Sequence, residues 1–376
     1  EDASDPFIPE GDKLSSASVA KNTLTVGSAN FNAIDLDENG ELIRPRFGSV
    51  SIISNFSSEG PTDDLRIKPD VLGVGEALFS TSVVKDTLGN FQDRYATLQG
   101  TSMAAPNVAG TILLLQELYF NENNTYMKSA TVKALLCSTA SDVGATGPDY
   151  RNGWGLVNAK RTAQVILNNA TSSLILEKAL DTVTTSYEFE FNLNDNLDSE
   201  IALVWNDPAG DSKNGVLNDT TPVLVNDLDL MIIGPDNTEY YPWKLNEEDP
   251  ASEALKGVNN RDNVEIINLE SPDPGIYKVV INYKGELTLQ NTSEQEFSVI
   301  VSNLSEVSLS NQTFAEESIA FWPNPVKNQL NISSSEVSFS PEVEISIYDL
   351  TGREIMSFED LDSLTNLSLD LSSLSR

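Results

Sequence analysis

The 376-residue chain has no histidine, a single cysteine, Cys137, and only 23 basic side chains against 57 acidic ones. Each shortage excludes something. Without imidazole the chain supplies neither a histidine base for nucleophilic catalysis nor a metal site built on histidine. With one cysteine it forms no internal disulfide, so export would have to be tolerated without covalent staples. A net charge of −34 argues against nucleic acid and anionic lipid as partners, because both call for clustered Lys and Arg. The longest apolar run, residues 111–120, is interrupted by Gln116 and Glu117 and falls short of the ~20 residues that cross a bilayer. No membrane span is expected. Residue 1 is Glu, and no basic stretch followed by an apolar one marks a signal peptide, so the expectation is a fragment of a longer protein.

What is present divides in two. Residues 1–170 hold 20 acids and 13 bases, a net −7, whereas residues 171–376 carry 37 acids and 10 bases, a net −27. Before that shift, stretches with helical spacing at 102–120, 129–140 and 158–167, the last with Asn158 as N-cap, alternate with short strand-like runs at 23–26, 50–53 and 71–74. Strands interleaved with helices predict an α/β layer. After it, short strands separated by turns are expected at 186–192, 200–205, 227–233, 263–269, 275–283 and 296–302, the pattern of a β-sandwich. Pro235-Asp236-Asn237 and Pro272-Asp273-Pro274-Gly275 supply turns. A Ser-rich stretch, 305–318, is expected to be a linker, and strands resume beyond it.

The most informative stretch is Gly100-Thr101-Ser102-Met103-Ala104-Ala105-Pro106-Asn107-Val108-Ala109-Gly110. It joins a Gly-bounded turn to a helix and sets Ser102 at the helix N-terminus, where unpaired N–H groups and the positive end of the macrodipole favour a developing oxyanion. An ordinary Ser at a helix start is the competing explanation, and physics alone permits both. The stretch resembles the nucleophile motif of the subtilases, the subtilisin-like serine peptidases. Three further segments resemble that family in its own order: Ser18-Val19-Ala20-Lys21-Asn22-Thr23-Leu24-Thr25-Val26-Gly27; Phe56 to Asp64 with Arg66-Ile67-Lys68-Pro69-Asp70-Val71; and Asn152-Gly153-Trp154-Gly155-Leu156-Val157-Asn158-Ala159. The resemblance implies Ser102 as the nucleophile that attacks a peptide carbonyl, with its own N–H donating to the oxyanion. It also implies a catalytic Asp, His and oxyanion Asn upstream, the His roughly 150 residues before the Ser, whereas this chain has 101 residues there. The 376-residue chain is therefore expected to be inactive alone, as part of an enzyme that is active when whole. The alternative is an inactive remnant in a secreted surface-binding or structural protein. Many subtilases carry His where Asn107 stands, but that His is not the catalytic one.

Two acidic segments are candidates for metal. Asp35-Leu36-Asp37-Glu38-Asn39-Gly40-Glu41 has the oxygen spacing of a calcium loop, but its twelfth position is Arg46 rather than Glu, and an Asn-Gly hairpin tip accounts for it as well. In Val225-Asn226-Asp227-Leu228-Asp229-Leu230, Asp227 and Asp229 share one strand face, and side-by-side carboxylates call for a cation or for hydrogen-bond donors. Calcium as a structural ion is the candidate at Asp227 and Asp229. Ile201 to Pro208, Val225 to Leu230 and Gly275-Ile276-Tyr277-Lys278-Val279 resemble the jelly-roll domain attached to certain alkaline subtilases, which implies a stabilising module that often binds calcium. Trp205 is expected in its core rather than as a stacking platform.

Finally, Phe321-Trp322-Pro323-Asn324-Pro325-Val326-Lys327-Asn328 to Ile332 and Ile345 to Arg353 resemble the C-terminal sorting domain of type IX secretion, without the closing Gly-Xaa-Tyr strand and basic tail of that family. The expectation is thus an α/β subtilisin-like C-terminal half at 1–170, an all-β jelly-roll sandwich at 171–304, a linker at 305–318 and a truncated sorting domain at 319–376. Such a protein is secreted or displayed on the cell surface, with protein or peptide substrates and the type IX machinery as partners.

Overall fold

The computed structural model describes residues 13–15, 17–30, 35–36, 42–43, 52–194, 197–211, 219–289 and 294–305, and in the tail 319–322, 329–334, 345–348, 354–358 and 366–371. Most of the Asp35 to Glu41 loop, most of the linker, the Pro323 to Asn328 stretch and the turn at 350–353 lie outside these residues. The chain forms two compact units, Glu1–Leu309 and Ser310–Arg376.

In the first unit the elements are β1 (Val26–Asn30), β2 (Asp35–Leu36), β3 (Leu42–Ile43), β4 (Val71–Glu76), β5 (Leu78–Lys85), β6 (Phe91–Leu98), α1 (Thr101–Asn123), α2 (Ser129–Ser138) and α3 (Ala159–Leu167). The first strand lies three residues later than the 23–26 run suggests, because Thr23 and Thr25 are taken up in turn hydrogen bonds: their hydroxyls donate to the carbonyls of Ala20 and Ser18. β1 and β4 pair in parallel, Val26 opposite Val71, and Leu156 continues the sheet beside Leu72. α3 starts as its sequence predicts, the Asn158 side chain accepting from the Arg161 N–H at 3.1 Å. The helical pattern does not reveal β5 and β6, an eight-residue antiparallel hairpin between β4 and α1.

The next ten strands are β7 (Leu174–Leu180), β8 (Ser186–Leu193), β9 (Ser199–Trp205), β10 (Asp227–Ile233), β11 (Glu239–Tyr240), β12 (Trp243–Lys244), β13 (Leu255–Lys256), β14 (Val264–Leu269), β15 (Gly275–Lys284) and β16 (Gln295–Val301). Eight of them make two antiparallel sheets, ordered β14-β9-β16-β7 and β11-β10-β15-β8. Their facing sides bury Phe191, Ile201, Leu203, Trp205, Leu230, Tyr277, Val279 and Phe297 in one core. Trp205 is fully buried, its indole N–H donating to the Asn226 carbonyl at 2.9 Å.

The two sheets differ in pattern for a physical reason. β10 alternates buried and half-exposed residues because only one of its faces is covered, whereas Ile201 to Trp205 of β9 is buried throughout. The outer face of β9 packs Ala202 and Val204, with Val264, Ile266 and Ile300 of neighbouring strands, into a second core shared with Ala134 and Leu135 of α2 and Val165 and Ile166 of α3. The composition shift near residue 170 therefore separates two architectures that share this core within one compact unit.

Polar groups lock the same contact. Lys21 Nζ pairs with the buried Asp207 and donates to the carbonyls of Pro208 and Val223, both at 2.8 Å. Asn22 and Asp207 exchange two hydrogen bonds, at 2.9 and 3.0 Å. Asp70, 2% exposed, meets Lys68 Nζ at 2.5 Å and Lys133 Nζ at 2.9 Å and accepts from the Thr25 N–H at 2.6 Å. Burial disfavours its charge, but the two lysines outweigh this and hold its carboxyl below the ordinary value. Burial lowers Lys68 to about 8. Cys137 is buried as well, and burial pushes its thiol up, which leaves it an inert core residue.

The second unit contains β17 (Ile319–Trp322), β18 (Gln329–Ser334), β19 (Ile345–Tyr348), β20 (Glu354–Phe358) and β21 (Asn366–Asp370), paired as β17-β18-β21 and β19-β20. Among the described residues no helix is long and apolar enough to cross a membrane.

Asp70→Ala strands two lysines in the interior, and urea denaturation should read a loss of about 3–5 kcal/mol. Unchanged stability would show that the lysines find water or other partners.

Candidate active site

Ser102 occupies the first turn of α1 and is exposed, while Ala104 and, one turn beyond it, Val108 are buried on the inner face. Its position is set by β4. The chain leaves β4 at Gly75, makes the β5–β6 excursion and returns so that the Gly100 N–H donates to the Gly75 carbonyl at 2.8 Å. Gly100 has φ 144°, a conformation that favours glycine. A Cβ on Gly75 would come within 2.5 Å of Ser28 Oγ and 2.8 Å of Ala104 Cβ, so only glycine lets the strand approach the helix start this closely.

The helix N-terminus is electrostatically open. No side chain caps it and no acid sits in its first turn. Pro106 has no N–H to give to the Ser102 carbonyl, so the first turn is held less tightly to the second. The positive end of the dipole is therefore left for a ligand beside the Ser102 hydroxyl. Among the described residues that hydroxyl has no hydrogen-bond partner.

The other subtilase-like stretches support this corner. The Trp154 N–H donates to the Asp70 carbonyl at 2.8 Å and the Leu72 N–H to the Gly155 carbonyl at 2.8 Å, which braces β4 from the side away from β1. Ser57 Oγ accepts from the Ser28 N–H at 2.9 Å, and Arg151 pairs with Glu59 at 2.7 Å.

Asp227 and Asp229 lie elsewhere, on the half-exposed face of β10. Lys284, opposite Asp227 in register, places Nζ 2.7 Å from Asp229 and 3.6 Å from Asp227. The cation that two adjacent carboxylates call for is thus supplied in part by a lysine, which sequence spacing could not reveal because register, not proximity in the chain, brings it there. Asp227 keeps one buried oxygen, Oδ1, without a partner, and burial raises its carboxyl to about 6. Glu265 of β14 is fully buried between the sheets, where one oxygen accepts from the Leu230 N–H at 2.6 Å and the other has no partner. Burial raises it well above the ordinary value. No group of three or more acids among the described residues is arranged to hold a metal ion.

Comparisons with known proteins place two parts of the sequence. Residues 4–155 match the Subtilase family, and residues 320–376 match the Secretion system C-terminal sorting domain. The chain is 28% identical over 279 residues to the Serine protease/ABC transporter B family protein tagA of Dictyostelium discoideum, covering 67% of this chain and 15% of that protein. It is 32% identical over 143 residues to a C5a peptidase of Streptococcus pyogenes, covering 35% of this chain and 11% of that protein. The chain thus spans a small part of the length of these relatives. Among solved structures, fervidolysin from Fervidobacterium pennivorans aligns over 95% of this chain and 44% of its own, at 16% identity and a TM-score of 0.30. The chain thus has an α/β segment that matches the Subtilase family over residues 4–155 and is followed by β-rich sequence. At its other end is a type IX sorting domain, which makes it a secreted or cell-surface protein.

The pH dependence around the β10 site has a definite sign. Asp227 has a folded value above its unfolded one, so its contribution is fully present below about pH 4 and is lost as the pH rises through about 6. Asp227→Asn should flatten the fall in the urea midpoint between pH 4 and 7. An unchanged slope would mean that Asp227 is not the titrating group.

Proposed function

We propose that the chain is the C-terminal part of a secreted subtilisin-like serine endopeptidase that hydrolyses peptide bonds through an acyl-enzyme at Ser102. The observation that carries this reading is an exposed Ser102 in an uncapped, acid-free first helical turn, inside a segment of the Subtilase family. Ser102 Oγ attacks the scissile carbonyl as its proton passes to the upstream His, and its own N–H donates to the oxyanion of the tetrahedral intermediate. Collapse to the acyl-enzyme breaks the C–N bond and releases the amine, which takes that proton; water then hydrolyses the ester. The catalytic Asp and His and the oxyanion Asn belong to sequence upstream of residue 1. Without an imidazole base the hydroxyl stays protonated and weakly nucleophilic, and in subtilisin loss of either the Ser or the His costs about 10⁶ in turnover. This chain alone is therefore inactive.

The sandwich is a jelly roll in this reading. Its support is strand order: β7-β16-β9-β14 and β8-β15-β10-β11 are the two interleaved sheets of that fold. With the linker at 305–318, it divides the subtilase segment, 1–170, from the sorting domain, 319–376, that hands the protein to the type IX machinery. Calcium at Asp227 and Asp229 is supported by the unpaired Asp227 oxygen and opposed by Lys284, which the ion would have to displace. The absence of histidine and the solitary hydroxyl of Ser102 favour a second reading, an inert subtilase remnant carried by a surface-binding protein.

A fluorophosphonate serine probe separates the two readings. The 376-residue chain should remain unlabelled, and a longer natural chain carrying the upstream sequence should be labelled at Ser102 and lose labelling in Ser102→Ala. A longer chain that stays unlabelled leaves only the inert reading. For calcium, the double variant Asp227→Ala, Asp229→Ala should abolish any calcium-dependent rise in melting temperature; a rise that persists excludes this site.

A further inference from the structure

The proposed chemistry gives the β5–β6 hairpin no role. It is a two-stranded sheet in which all eight residue pairs from Leu78↔Leu98 to Lys85↔Phe91 are in register, and no other strand joins it among the described residues. Side chains alternate faces, so Phe79, Val83, Phe91 and Tyr95 share one side. All four are largely exposed, Phe91 at 72% and Phe79 at 70%. Such a face on a soluble surface marks a binding site when it is contiguous and held in shape.

It is both. Phe79 and Tyr95 stack with centroids 5.5 Å apart, and Lys85 Nζ lies 5.0 Å over the Phe91 ring. The tip is closed by Asp86, whose carboxylate accepts from the N–H groups of Leu88 and Asn90 and from the side chains of Asn90 and Gln92. These contacts hold Asp86 below the ordinary carboxylate value. A ribbon that no other strand joins among the described residues thus keeps its form through its own turn, its Phe79–Tyr95 stack and the Lys85–Phe91 contact. Among the described residues no strand pairs with its outer edges, which leaves them to an incoming extended chain.

Two observations identify the occupant. The first is continuity: only Gln99 and Gly100 separate the end of β6 from α1, and the Gly100 to Gly75 hydrogen bond ties the hairpin base to the turn that carries Ser102. The second is charge. Within residues 78–98, Lys85 and Arg94 balance Asp86 and Asp93, so the ribbon is neutral on a chain of net charge −34. A second copy of so acidic a chain is repelled from it, whereas a foreign uncharged segment is not.

We propose that this aromatic face is a docking site for an extended, apolar stretch of polypeptide substrate on its way to Ser102. An eight-residue strand is roughly 25 Å long, enough to lie along a comparable length of extended chain. Aromatic or aliphatic side chains at alternate positions pack on the Phe79–Tyr95 stack and on Phe91. The substrate class is accordingly unfolded or locally extended protein rich in apolar residues. This inference rests on the peptidase reading of Ser102.

The test uses the 376-residue chain and a fluorescein-labelled ten-residue peptide that alternates Phe or Leu with Ser, read by fluorescence anisotropy. The chain should bind this peptide, and Phe79→Ser with Tyr95→Ser should weaken binding by about tenfold. Ile276→Ser, at an exposed apolar position on β15, should change nothing. Equal affinity of the hairpin variant and the parent overturns the proposal, as does a parent that does not bind. Sedimentation showing a dimer that the same two substitutions dissociate gives the face to a second copy and also overturns it. If a longer chain with the upstream sequence no longer binds the peptide, the face belongs to that sequence and the proposal falls. The peptidase reading fails separately: serine-probe labelling absent from the longer chain sinks that reading even where hairpin-dependent binding persists. Labelling with hairpin-independent binding overturns the docking site alone.

Discussion

The buried carboxylate of Asp70 is the constraint on which the rest of the first unit is arranged. It sits just before β4 and is met by Lys68 from its own segment, by Lys133 from α2 and by the Thr25 N–H ahead of β1. Burying one acid and two lysines is costly unless all three are brought together, so the strand pair and the helix are held in one relative placement. Lys133 reaches further, donating to the Lys21 carbonyl at 2.9 Å, and Lys21 in turn pairs with Asp207 at the end of β9. A chain of charges thus runs from the β1–β4 pair to the sandwich, parallel to the apolar contact between α2 and the outer face of β9. The α/β segment and the first sheet are two sides of a single core.

Ser102 depends on the same placement at one remove. Once β4 is fixed, Gly75 decides how near α1 can come, and Gly100 allows the turn that exposes the hydroxyl while Ala104 and Val108 face inward. The site is consequently built from backbone geometry and small side chains, with no ionisable residue in the first turn of the helix. That is an arrangement suited to stabilising charge that develops during a reaction.

Much of this was legible in the chain. The Gly100 to Gly110 helix start, the Asn158 cap and strand β10 are local patterns, carried by neighbouring residues in sequence, and the structure has the helices and strand where those patterns put them. The β5–β6 hairpin was not legible, because its apolar residues on one face are spaced by Thr81, Lys85 and Asp93, and among the described residues no strand covers it to give the clean apolar-in, polar-out alternation of a half-buried strand. Its only signal was the turn Asp86-Thr87-Leu88-Gly89-Asn90. The role of Lys284 was equally hidden. Spacing puts Asp227 and Asp229 on one face, but the neighbour that shares their charge arrives from β15, 55 residues beyond Asp229.

The sequence alone settled the exclusions and the local motifs: zero histidine, one cysteine, a strong acidic excess and a Gly-Thr-Ser helix start are properties of composition and of a few adjacent residues. Only the tertiary structure decided which acids are paired, which are buried without a partner, and that the β-sandwich shares its core with the less acidic α/β segment. Pairing, burial and shared cores are distances between residues far apart in the chain, and these exist only once strand register and helix packing have been chosen.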